Sequence, residues 1–292
     1  MSSVRPARKD ASKSVVYVYG VARVAPDRKL APLPRQGIIG NAPVRRLVHG
    51  NLVAFGSTVP ASRFAAAELR SALADTKWLR ARILAHEKVL ERLRSRYDIV
   101  PFRFCTIYRD AAQVSKALAR HRTELNEALD RVRDASEWGL KLYCDSETVR
   151  RHLAGESSLV RRLHQELAGA SPGTRYFLRK QYDRVLDVEV AAAIARCVEQ
   201  SDRSLAACAR EGTEIPAQPR DVHGRLQEMV ANRAYLLDAG AMSQFQRAVA
   251  ALQARFAAHG FSFELSGPWP PYHFVSPRQE GIQGAARSIR QG

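Results

Sequence analysis

Residues 75–108 read DTKWLRARILAHEKVLERLRSRYDIVPFRFCTIY. Leu79, Ile83, His86, Leu90, Leu93 and Tyr97 step along this stretch by four, three, four, three and four residues, which places them on one face of a helix opened by Asp75. From Val100 to Tyr108 that period is lost, and apolar and aromatic residues crowd together as they do in a strand. A helix with one apolar stripe needs a surface to cover, and an apolar strand supplies one. The stretch therefore predicts helices laid on a β-sheet.

The same alternation extends outward in both directions. Val15-Val16-Tyr17-Val18-Tyr19 is β-branched and aromatic without alternation, the composition of a strand covered on both faces, with Gly20 as its end. Pro26, Pro32, Pro34 and Pro43 mark residues 25–43 as a loop. Val44 to Val48 and Leu52 to Val59 flank His49-Gly50-Asn51 and predict a hairpin. Downstream, Asp110 is placed to cap a helix with Val114, Leu118, His121, Leu125, Ala128 and Val132 on one face. Glu137 to Cys144 (EWGLKLYC) returns to strand. A long helix over about 174–210 follows, striped by Leu186, Val190, Ile194, Cys197, Ser201, Leu205 and Cys208. Arg233 to Asp238 predicts a strand, Met242 to Phe256 a helix closed at His259-Gly260, and Phe261 to Leu265 the last strand.

These elements give an α+β fold of two domains, with antiparallel sheets covered by helices: an N-terminal α+β domain at 15–136 and a C-terminal one at 137–275. A ferredoxin-like βαββαβ order suits 137–266, although its second strand has no clear position between 212 and 230. Residues 1–14 and 276–292 are polar or basic and read as flexible tails.

The formal charge of +17 comes mostly from arginine, since Lys supplies 8 of the 46 basic residues. The arginines are dispersed and interleaved with Asp and Glu, which predicts solvated helix faces rather than a nucleic-acid stripe. Cys105, Cys144, Cys197 and Cys208 have no zinc or disulfide spacing, and predict reduced thiols in a cytosolic chain. No apolar run approaches the length of a membrane span.

Catalytic patterns are missing too. His86-Glu87 lacks the second histidine of a zincin, and both His86 and His121 fall on apolar helix faces, where a hydrogen-bonded core role is expected. No phosphate-cradling glycine loop and no nucleophile elbow appears. Glu124, Glu127 and Asp130 lie among Arg120, Arg122, Arg131 and Arg133, as on an exposed salt-laced face. The expectation is a protein that is not an enzyme and takes no cofactor or metal.

The unusual stretch is Gly267-Pro268-Trp269-Pro270-Pro271-Tyr272-His273-Phe274. Its prolines remove backbone donors and fix φ near about −65°, so it cannot be a central strand and should leave the sheet as a stiff extended segment. Trp269, Pro270, Pro271, Tyr272 and Phe274 then either plug a groove in the core or present a contact surface to a partner.

That segment resembles the TGPWPPYSF-like C-terminal block of gas vesicle proteins of the GvpF/GvpL family. Tyr17-Val18-Tyr19-Gly20 resembles the family's YxYG start. Trp78-Leu79 with His86, Val89 and Leu90 is similar to its WL…HxxVL helix. Pro101 to Thr106 resembles PxRFGT, with Cys105 where glycine is usual. Glu137 to Lys141 is similar to EWGxK, and Ala234 to Asp238 to AYLVD. The resemblance spans about residues 15–275. It implies a second domain with a modified ferredoxin-like fold and a structural, chaperone-like role in forming the gas-filled shell. The implied partners are the major shell protein and other gas vesicle accessory proteins, with no membrane and no nucleic acid. The implied location is the gas vesicle, and the cytoplasm during assembly. The competing reading is a basic nucleic-acid-binding protein with ferredoxin-like domains, for which Arg103 to Tyr108 would be the aromatic RNA-binding strand.

Overall fold

The computed structural model describes residues 14–23, 32–64, 69, 72 and 74–275. Both predicted tails, apart from Ser14, and residues 25–31 of the proline-rich loop lie outside them. Ser136–Trp269 pack as one unit; the described residues before Ser136 and those from Pro270 to Val275 pack as the other. Pro270 to Val275, expected with the C-terminal domain, thus count with the N-terminal unit.

In the N-terminal unit, β1 (Ser14–Arg23) lies inside a sheet of order β2-β3-β1-β4, with β2 at Arg45–His49, β3 at Leu52–Pro60 and β4 at Ile99–Pro101. The central place explains the unalternating run from Tyr17 to Ala22, which is buried throughout. Gly20 does not end the strand. It sits at a shift in the β1–β3 register, where a Cβ would come within 2.6 Å of the Val100 carbonyl oxygen. β2 and β3 form the expected hairpin, and Gly50 takes a left-handed φ of 60° in its turn.

The predicted helix is present as α1 (Thr76–Arg94). The Asp75 carboxylate accepts the backbone N–H groups of Lys77 and Trp78. Its buried face is His86, Val89, Leu90 and Leu93, whereas Ile83 nearer its start is exposed. The strand predicted from Val100 to Tyr108 is divided into β4 and a two-residue β5 (Ile107–Tyr108). Cys105 between them has φ 65°, a left-handed conformation no strand can contain. The single helix predicted after Asp110 is likewise two, α2 (Ala111–Arg120) and α3 (Arg122–Arg131), broken at His121. The break lets α2 cover β2 and β3 while α3 covers β1 and β4.

The C-terminal unit holds β6 (Ala135–Cys144), α4 (Ser146–Glu156), α5 (Ser158–Gly169), α6 (Pro172–Ala206), β7 (Glu211–Glu214), β8 (Glu228–Asp238), α7 (Met242–Phe256) and β9 (Phe261–Trp269). Its sheet order is β7-β8-β6-β9, and the pairs β6–β9 and β7–β8 are antiparallel. This is the ferredoxin-like βαββαβ arrangement with two helices, α4 and α5, added before the first crossover helix. The second strand is β7, a short polar edge. Leu140, Leu142, Tyr235 and Leu237 from the sheet pack on Leu186, Val190, Phe245 and Leu252 from the helices. Gly260 closes the turn after α7 with φ 91°.

Candidate interaction site

β1 directs Tyr17 and Tyr19 into the core of the N-terminal unit, where α1 directs His86. The Tyr17 hydroxyl accepts the Cys105 backbone N–H at 3.1 Å and lies 2.8 Å from His86 Nδ1. The other ring nitrogen, Nε2, is 3.1 Å from the Tyr272 hydroxyl, which donates to Glu87 Oε1 at 3.1 Å. One proton assignment satisfies every group: Tyr17 donates to Nδ1, and Nε2–H donates to Tyr272. Burial holds His86 down to about 4, against a smaller opposing effect of the Phe102 backbone, so the ring is neutral at pH 7. Burial also raises the Glu87 carboxyl, and its hydrogen bond from Tyr272 works the other way.

The proline-aromatic segment therefore divides. Trp269 ends the edge strand β9 opposite Glu137, with its side chain 47% exposed and its indole N–H donated to Ser266 Oγ at 3.2 Å. Pro268 can occupy this strand because an edge leaves one row of backbone groups unpaired. Beyond it Pro270 and Pro271 are buried, Tyr272 reaches His86, and Phe274 is 2% exposed. Pro270, Pro271 and Phe274 are thus buried and Tyr272 packs against the core of the N-terminal unit, whereas Trp269 and His273 are exposed.

A second exposed aromatic pair is found on α6, where the sequence stripe gave no signal. Tyr176 is 60% and Phe177 71% exposed, their ring centroids 5.6 Å apart, and Lys180 Nζ lies over the Tyr176 ring at 4.9 Å. Phe177 falls off the stripe through Leu186 and Val190, whereas Tyr176 lies on its continuation, two heptads before Val190, and is exposed there. A large ring off the apolar face of a helix is the sign that would have found Phe177.

The geometry offers little for catalysis. Burial pushes the thiols of Cys105 and Cys197 up to about 12 and about 11, which keeps both protonated. His121 Nδ1 pairs with Glu124, and Asp130 pairs with Arg23 and Arg133. Among the described residues no group of three or more His, Cys, Asp or Glu is placed to hold a metal ion. The segment Arg103 to Tyr108 turns at Cys105 and offers no continuous aromatic strand of the RNA-binding kind.

The family model described as gas vesicle synthesis protein GvpL/GvpF matches residues 15–276. The chain belongs to this family. Gas vesicle protein L of a Streptomyces species is 32% identical over 266 residues, spanning 91% of this chain and 94% of that relative. Gas vesicle protein F of the same organism is 28% identical over 262 residues, spanning 89% of this chain and 98% of that one. The crystal structure of GvpF from an Anabaena species superposes with a TM-score of 0.69 at 17% identity, over 90% of this chain and 98% of its own, and shows the same fold. Membership of the GvpL/GvpF family also gives Cys105 its context. The position where the family resemblance implies glycine is left-handed here, a conformation that glycine adopts without strain and cysteine does not.

Proposed function

We propose that this GvpL/GvpF chain supports gas vesicle formation by binding the small hydrophobic shell protein before or during its polymerisation, together with other gas vesicle accessory proteins. It acts as a structural and chaperone-like component, not as an enzyme. The supporting observation is the exposure of Tyr176 and Phe177 on α6, with Trp269 as a further exposed ring. Rings held on a regular helix or strand can cover apolar surface of a shell subunit at low entropic cost, and so restrain its aggregation. Pro270, Pro271, Tyr272 and Phe274 serve the fold in this reading, and Trp269 alone of that segment serves contact. Assembly takes place in the cytoplasm and leaves the protein associated with the vesicle.

The test is co-expression with the shell protein followed by co-purification. Tyr176→Ser with Phe177→Ser is expected to lose capture by tenfold or more while the far-ultraviolet spectrum is unchanged. Capture that survives both this change and Trp269→Ala would show that the contact is elsewhere. Vesicles that form normally in a strain lacking the gene would remove the assembly role itself.

A further inference from the structure

The C-terminal unit contains a cleft that the assembly reading leaves without a task. It opens between α4, α6, α7 and the start of β9, with a volume of about 250 Å³. Its floor is apolar, formed by the buried side chains of Val149, Leu153, Phe256 and Phe261. Its rim is basic. Arg196 from α6 and Arg255 from α7 line it with exposed side chains, and among the described residues neither has a carboxylate at ion-pair distance. Other arginines of the same helical layer are paired: Arg150 with Asp187, Arg179 with Asp183, Arg203 with Glu199. The Arg255 guanidinium lies 5.2 Å from the Phe256 ring centroid, over the wall of the cleft.

Two imidazoles complete the rim. His152 and His259 stack with centroids 4.0 Å apart and planes 22° from parallel. Burial is the main cause holding His259 below its usual range, and His152 and Arg255 add to the effect while Glu156 opposes it. Deeper in the lining, Gln200 Oε1 is buried and has no donor. An unpartnered buried acceptor is costly in a void that merely completes packing and is relieved by a suitable guest, while the solvated guanidiniums at the rim are free to meet an anion.

We infer that this cleft binds a small organic anion, an aliphatic or aromatic carboxylate whose apolar body lies on Leu153, Phe256 and Phe261 and whose carboxylate meets Arg196 and Arg255. A hydroxyl on the apolar body supplies the donor that Gln200 lacks. Inorganic phosphate has the charge but leaves the floor empty, and an uncharged analogue has the body but leaves the rim unpaired. Arg196, Arg255, Glu156 and the two histidines are the ionisable groups at this mouth. Binding an anion favours the protonated form of His259, whose range is lowered, so affinity rises as pH falls through that range.

The experiment is calorimetric titration of the full chain with 4-hydroxybenzoate and with octanoate, against 4-hydroxybenzyl alcohol and inorganic phosphate. One saturable site for at least one of the two carboxylates is expected, at least tenfold tighter than for the alcohol or for phosphate. Arg196→Gln with Arg255→Gln, both exposed positions that leave the core intact, should weaken it by tenfold or more, and Leu153→Phe should block it by filling the floor. Absence of saturable binding of both carboxylates at millimolar concentration overturns the proposal. So does equal binding of phosphate, or affinity unchanged in the double arginine variant.

Discussion

Cys105 carries the clearest local cost in the molecule. A left-handed φ costs a non-glycine residue roughly 1–2 kcal/mol, and its backbone N–H is already committed to the Tyr17 hydroxyl. Cys105→Gly relieves the strain and gives up one small buried thiol, so its unfolding free energy is expected to stay within about 1 kcal/mol of the parent. Cys105→Val places a branched Cβ in the same conformation and should lose more than about 2 kcal/mol. Urea denaturation of the two variants checks this, and equal losses would mean that the backbone is not the constraint.

His86 makes the stability of the N-terminal unit depend on pH. The unfolded ring takes its proton near the ordinary value of 6.5, whereas the folded ring waits until about 4. The contribution is therefore complete above pH 6.5 and declines as pH falls toward 4, by roughly 3 kcal/mol in all. Glu87 acts in the opposite sense. Its raised folded value means that the folded state takes up a proton before the unfolded one does as pH falls, which offsets part of the decline. Tyr17 and Tyr19, whose hydroxyls burial raises, stay protonated throughout this range. A urea midpoint lower at pH 5 than at pH 7.5 is expected, with a larger difference in Glu87→Gln, where the offset is gone. A flat profile would contradict the buried neutral histidine.

At the scale of elements, the end of β9 and the segment after it join two kinds of residue within six positions. Phe274→Ala empties a fully buried site and is expected to cost about 3–5 kcal/mol, whereas Trp269→Ala at a half-exposed edge should change stability by less than about 1 kcal/mol. Thermal melts of the two variants decide between them. A large loss for Trp269→Ala alone would make that ring structural. Periodicity gave α1 and α7 because each buries one regular face, and the turn residues His49-Gly50-Asn51 between two strand-like runs gave the hairpin. It did not give β7, whose Glu211, Gly212, Thr213 and Glu214 form a half-exposed polar edge with no apolar face to read. The divided strand at Cys105 and the divided helix at His121 escaped for a different reason. Apolar residues continue across both breaks, crowded at Cys105 and at helical spacing through His121, and only the backbone angles reveal them.

For the whole molecule, the N-terminal unit is built from two separated parts of the chain, because Pro270 to Val275 pack with the strands and helices before Ser136. Removing everything after Trp269 takes away the buried Pro270, Pro271 and Phe274 together with Tyr272, which packs against that core, and unpairs the Nε2 side of His86. Hydrogen exchange on the truncated chain is expected to quicken at Tyr17, Val18 and Leu90 while Leu236 and Leu237 in β8 keep their protection. Uniform loss in both units would show instead that the segment holds the whole chain.

By itself the sequence determined the α+β class, most of the helices and strands, and the family, since these depend on spacing along the chain and on order-preserving blocks such as SGPWPPYHF. It placed Trp269, Pro270, Pro271, Tyr272 and Phe274 together as one candidate site, and left open whether they were core or contact. Only the tertiary structure separated Trp269 from the rest. Burial is set by what else occupies the volume, and the partners of Tyr272, His86 and Glu87, lie more than 180 residues away. The same holds for the cleft at Arg196 and Arg255. Its walls come from three helices and a strand, and no local pattern records which basic side chains lack a counter-charge once those elements pack.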